Sequence, residues 1–181
     1  MPLPAPSEER EQLHTRRVTC RGYRRKDGLW DIEGHIVDNK TYSFESDWRG
    51  TVTPDQPVHE MWLRITIDDD MVIHDAVAAT EAGPFRICPD IAPNFKKLAG
   101  LRIGPGWRKS VQARVGGAQG CTHIVELLGP MATTAFQTQV IKRRSEKRKP
   151  GVRPRLLNSC HALAETSEVV KQEWPEFYKG A

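Results

Sequence analysis

A chain of 181 residues, 38% apolar and 28% charged, holds enough apolar side chains for one folded core and too many for wholesale disorder. Its longest apolar runs fall far short of a membrane span, and residues 1–10, rich in Pro and Glu, lack the basic and apolar stretches of a secretory signal, so the sequence points to a cytoplasmic protein. The net charge of +4 is local: residues 142–155 carry eight basic side chains against Glu146 and leave the rest slightly acidic, the pattern of a solvated helix end or linker, which disfavours nucleic acid as a partner.

Residues 1–13 read as a flexible lead-in, and residues 14–181 as a single α+β domain with a basic helix end or linker at 142–155. Residues 17–38 form a β-hairpin. Its Asp27-Gly28 pair suits a two-residue type I′ turn, which places Arg24 opposite Asp31, Gly22 opposite Glu33, Cys20 opposite His35 and Arg17 opposite Asp38. Trp30, Ile32 and Ile36 then share an apolar face, while Arg24, Asp31, Glu33 and His35 share the other. A short strand is expected within residues 42–48 and a loop at 49–57. Residues 60–80 form a second hairpin, with Met61, Leu63, Ile65 and Ile67 alternating with Trp62, Arg64 and Thr66, and a turn at Asp68-Asp69-Asp70. That turn lacks the Gly and the closing Glu of a calcium loop.

Further along, residues 94–99 read as a short helix ended by Gly100. Pro105 opens another, with Trp107, Val111 and Val115 as its buried stripe. A helix starts near Cys121, is kinked or interrupted at Gly129-Pro130, and continues from Met131 to Arg148. Residues 162–174 form the last helix. The architecture expected is an antiparallel sheet built from two hairpins packed against three to four helices.

Two sets of residues can carry chemistry. In Gly120-Cys121-Thr122-His123 a Gly-rich loop enters a helix, where the dipole favours an anion and stabilises a thiolate. Cys121 is thus a candidate nucleophile or metal ligand, the alternative being an inert core thiol. His123 lies about 200° around an ideal helix from it, so the two can serve one site only if Cys121 is still in the loop. Cys160, His161 and His59 complete a candidate mixed zinc site with Cys121 and His123. The second set is the polar face of the first hairpin. Open to water it is ordinary; covered, Arg24, Asp31, Glu33 and His35 become a walled cluster fit for acid/base work. The four cysteines have no CxxC spacing and are expected as thiols. Walker A, GxGxxG, GxSxG and HExxH motifs are absent.

The runs from Gly22 to His35, His59-Glu60-Met61, Gly120-Cys121-Thr122-His123 with Glu126-Leu127, and Cys160-His161-Ala162 resemble a bacterial family catalogued as domain of unknown function 2889. The resemblance covers residues 14 to 174 and implies one full-length domain, with relatives among genes for breakdown of aromatic compounds. The order of elements from Met61 to the Gly-Cys at a helix start is similar, more remotely, to iron–sulfur cluster scaffold proteins. In that likeness Cys121 fits one ligand, Cys88 another loosely, and His59 stands near the Asp, but Pro57 stands where a Cys belongs.

The leading expectation is a small-molecule enzyme that needs no cofactor, a lyase or hydrolase acting by acid/base chemistry on an aromatic or carboxylate-bearing metabolite. In it His59, His123 and Cys121 are the catalytic candidates. Arg24 holds an anionic group, Tyr23 or Trp62 flanks a ring, and Asp31, Glu33 and His35 line the site. The alternatives are a non-catalytic protein with zinc on Cys121, His123, Cys160, His161 and His59, and a regulatory or nucleic-acid partner acting through the basic run. Membrane association is not expected, and self-association is open.

Overall fold

The computed structural model describes residues 3–140, 151–154 and 156–180. The chain divides into two compact units, Met1–Val140 and Ile141–Ala181. The first is α+β. Its four-stranded sheet has the order β1 (His14–Arg24), β2 (Trp30–Lys40), β5 (His59–Ile67), β6 (Ile73–Ala82), with every neighbouring pair antiparallel. The two expected hairpins supply these four strands. A second small sheet pairs β3 (Phe44–Ser46) with β4 (Gly50–Val52), so the segment read as a loop contributes a strand.

The first turn differs from the expectation. Gly28 has φ of +88°, but Asp27 does not share the positive φ that a type I′ turn demands of both central residues. Instead the Arg25 N–H donates to the Leu29 carbonyl at 2.9 Å, and the Asp27 carboxylate accepts the Leu29 N–H at 3.2 Å. The result is a three-residue loop with Gly28 in the left-handed position. Arg24 therefore pairs with Trp30, Gly22 with Ile32, Cys20 with Gly34 and Arg16 with Asp38. Because side chains alternate, this one-residue slip moves Arg24 onto the face of Trp30 and leaves Asp31, Glu33 and His35 on the other.

The core lies on one face of the sheet. Ile32, Ile36, Met61, Leu63, Ile65 and Ile67 meet Trp107, Val111 and Val115 of α1 (Trp107–Val115) and Ile124, Leu127, Leu128, Met131 and Ala135 of α2 (Thr122–Thr138). Two glycines let α2 approach the strands closely. A Cβ at Gly34 would stand 2.6 Å from Met131 Sδ, and one at Gly22 1.8 Å from Thr138 Oγ1. Pro130 does not interrupt α2. Leu127 and Leu128 before it and Met131 and Ala135 after it are buried in the same core, and that packing outweighs the hydrogen bond that Pro130 cannot make. The expected continuation to Arg148 lies outside the described residues beyond Val140, as does most of the basic run.

The segment read as a helix at 94–99 is part of a 3₁₀ stretch, Cys88–Leu98, in which Pro93 deprives the backbone of a donor that α geometry would use. Asp68 closes the acidic turn: its carboxylate accepts from the Asp70 and Val72 N–H groups and from His74 Nε2. No described helix is long and apolar enough to cross a membrane.

In the second unit, α3 (Glu168–Glu173) begins at Ser167, whose hydroxyl accepts the Val170 N–H. The expected helix at 162–174 is thus realised only in its second half, after a 3₁₀ turn at His161–Leu163 and an extended Ala164. Glu165 organises this unit: its carboxylate accepts from Arg153, Asn158 and Lys179. The Arg153 bonds, then those of Lys179 and Asn158, pull its carboxyl down to about 2. Glu165 in the folded unit thus titrates below its ordinary range near 4.5, and its contribution to stability is full above that range and fades as pH falls toward 2. Trp174 fluorescence should report acid loosening in that window, and Glu165→Gln should flatten the pH dependence while weakening the unit at neutral pH.

Candidate functional site

Asp38 is the structural surprise of the first unit. In β2 the buried residues run Trp30, Ile32, Gly34, Ile36, Asp38, so a carboxylate takes the next place in an apolar stripe. Its side chain is 1% exposed. A buried charge persists only when paired and fully hydrogen-bonded, and here the cross-strand register supplies the partner. Arg16, directly opposite, donates Nε to Oδ1 and Nη2 to Oδ2, each at 2.7 Å. His14 Nε2 stands 3.3 Å from Oδ1. The third face of the guanidinium, Nη1, is paired with Glu126 of α2.

Two imidazoles converge on the same carboxylate. His59, at the start of β5 and in phase with Met61 and Leu63, places Nδ1 3.0 Å from Asp38 Oδ2. His123, in the first turn of α2, places Nε2 3.9 Å from that oxygen. The rings stack with centroids 3.7 Å apart. Cys121 is the residue before the helix, with extended backbone, which meets the condition for it and His123 to share a site. Its Sγ lies 3.9 Å from His123 Nδ1, the ring edge turned away from Asp38.

The electrostatics follow from this crowding. Burial alone would raise the Asp38 carboxyl; the Arg16 hydrogen bonds and charge, helped by His59 and His14, override it and hold the group below its usual range. His59 is lowered by burial and by the charge of His123, against the opposing pull of Asp38. Burial and the charge of Arg16 lower His123. Near neutral pH the centre is therefore an ionised carboxylate locked to a guanidinium, with two neutral imidazoles whose lone pairs are available.

Residues 14–137, well over half of the chain, match the family described as "Protein of unknown function (DUF2889)". The chain belongs to this family. No curated protein and no solved structure matches it, and the likeness to iron–sulfur scaffold proteins is not shown. The DUF2889 match takes in Asp38, His59, Cys121 and His123 and ends before the second unit.

The other residues singled out in this DUF2889 sequence are placed as follows. Arg24 lies at the turn end of β1, its guanidinium 5.7 Å over the Trp30 ring, eight residues along β2 from Asp38, or roughly 26 Å at 3.3 Å per residue. Tyr23, Asp31, Glu33, His35 and Trp62 point to the face opposite the core. There His35 stacks on Trp62 with centroids 3.6 Å apart and reaches Glu60 at 3.0 Å, while Asp31 pairs with Arg25 and accepts from Thr66. The expected cluster thus loses Arg24, and α1 and α2 pack on the side away from Asp31, Glu33 and His35. Cys160 and His161, both exposed, belong to the second unit. Among the described residues, Asp38, His59 and His123 are the His/Cys/Asp/Glu group whose ligand atoms converge.

Of the side chains that meet here, the sequence points to His59, Cys121 and His123 as candidates but not to Asp38, Arg16 or His14. The signal was present. Asp38 keeps the phase of Trp30, Ile32 and Ile36, and a buried acid needs a cation opposite; the one-residue register slip hid it by placing Arg17 there.

Proposed function

We propose that this protein is a small-molecule enzyme, a hydrolase or lyase acting by acid/base chemistry on a carboxylate-bearing metabolite, with its reacting centre at Asp38, His59 and His123. The observation that carries the reading is the buried Asp38 carboxylate gathering two neutral imidazoles on one oxygen. A carboxylate withdrawn from water in an apolar stripe here anchors groups that hold or accept a proton. Arg16 takes the anion-holding role expected of Arg24: its Nη1 faces Glu126, whose side chain is 50% exposed and can yield to a substrate carboxylate. The aromatic preference drew on the family resemblance and on Tyr23 and Trp62; those two side chains lie on the opposite face, so the reading here is for a carboxylate rather than a ring.

The test is turnover by the full chain across a panel of aryl esters, lactones, hydroxy acids and enoates, followed by absorbance or NMR. One class is expected to react, with His59→Ala and His123→Ala each lowering kcat by about 10²–10⁴-fold. A panel with no turnover, or turnover unchanged in both variants, would sink the reading.

A further inference from the structure

We infer that Asp38, His59 and His123 form a binding site for one divalent first-row transition ion, zinc being the ion their chemistry fits best. This deepens the acid/base reading of the same cluster by naming its cofactor.

Three ligand atoms, Asp38 Oδ2, His59 Nδ1 and His123 Nε2, lie within 4.8 Å of one another. Zinc bonds of about 2.0–2.2 Å to N and O in tetrahedral geometry separate neighbouring ligands by about 3.3–3.6 Å. The separations of 3.0 Å and 3.9 Å from Oδ2 bracket that range, so small side-chain shifts suffice. A proton relay explains His59 but not His123. At 3.9 Å its Nε2 is too far from Oδ2 for a hydrogen bond, yet its ring is stacked on that of His59 and turned to the same oxygen. A metal ion between the three atoms uses both. It would take the place of the proton between His59 Nδ1 and Asp38, the neutral ring carrying that proton on Nε2 instead, so that binding requires no net loss of a proton.

The surroundings are those that metal ligands require. A ligating carboxylate must itself be oriented, and Asp38 is held by two bonds from Arg16 and by His14. A ligating His donates through its other nitrogen, and His123 Nδ1 faces Cys121 Sγ. Two neutral nitrogens and one carboxylate oxygen suit zinc or its transition-metal neighbours, whereas magnesium and calcium favour all-oxygen shells. Three protein ligands leave a fourth position, and side chains of His59 and His123 that are 16% and 23% exposed give that position access to solvent. Such open sites are catalytic rather than structural, and the ion there supplies Lewis-acid activation.

The experiment uses the untagged full chain, stripped with chelator and titrated with Zn²⁺ by calorimetry and with Co²⁺ by visible absorption, with near-UV dichroism as a check on folding. One equivalent is expected, with cobalt bands of a four- or five-coordinate centre. His59→Ala and His123→Ala should each weaken Zn²⁺ binding at least about 100-fold, and Arg16→Gln by about 10–100-fold through the freed carboxylate. Cys160→Ser and His161→Ala should bind as the parent does. Less than a tenth of an equivalent bound in excess Zn²⁺, or unaltered affinity in the folded His59→Ala and His123→Ala variants, would overturn the site. If the ion fails to bind while those variants still lose turnover, the metal falls and the acid/base reading stands. If the ion binds as expected while turnover is indifferent to both histidines, the metal site stands and the acid/base reading falls.

Discussion

Replacing Asp38 by Ala is expected to destabilise the first unit by about 2–3 kcal/mol in urea unfolding, at constant m-value. Removing one member of a fully buried ion pair costs about 3–5 kcal/mol, because the other charge is stranded. Here Arg16 and His14 keep side-chain exposures of 35% and 39%, so water relieves part of that cost. Asp38→Asn keeps the shape but presents an amide –NH₂ to a guanidinium, so it should recover little. The decisive comparison is the double variant Asp38→Leu with Arg16→Leu. It removes both charges and fills the space with apolar atoms, and should be markedly less destabilised than the sum of the two single changes. Additive losses would mean that Asp38 is held by something other than Arg16, and the centre would lose its keystone.

That same pair shows what was legible in the sequence. Strand and helix positions followed from local patterns: the period-two runs at Trp30–Ile36 and Met61–Ile67, the Gly-Cys entry to α2, and the Trp107, Val111, Val115 stripe all stand in the structure. The site did not follow, because it is assembled from three strands and a helix through a register that a single turn decides. Asp27-Gly28 fits two loop geometries, and choosing between them depends on the backbone angle of Asp27, which no propensity fixes. One residue of slip exchanged Arg16 for Arg17 opposite Asp38 and put Arg24 on the wrong face. His59 and His123 were visible as residue types, but their meeting depends on how closely α2 can lie on β2, and that is permitted by Gly34, a residue with no chemistry of its own.

Leu127→Ala is the sharpest test of that seating. Leu127 is fully buried on α2, one turn after His123, and its Cβ is 3.4 Å from where a Gly34 side chain would begin. Truncation removes buried methyl groups and leaves a cavity between helix and sheet, costing about 2–5 kcal/mol. Denaturant unfolding followed by tryptophan fluorescence should show this as a lowered midpoint. The consequence for the site is more specific than the lost stability. His123 reaches Asp38 from α2, whereas Asp38 and His59 are fixed by the strand ladder between β2 and β5. A loosened α2 should therefore weaken Zn²⁺ binding under conditions where the variant is still folded, while leaving the Asp38–His59 pair intact. A cost below about 1 kcal/mol, or metal affinity equal to that of the parent, would show that the first turn of α2 is positioned independently of the Leu127 side chain.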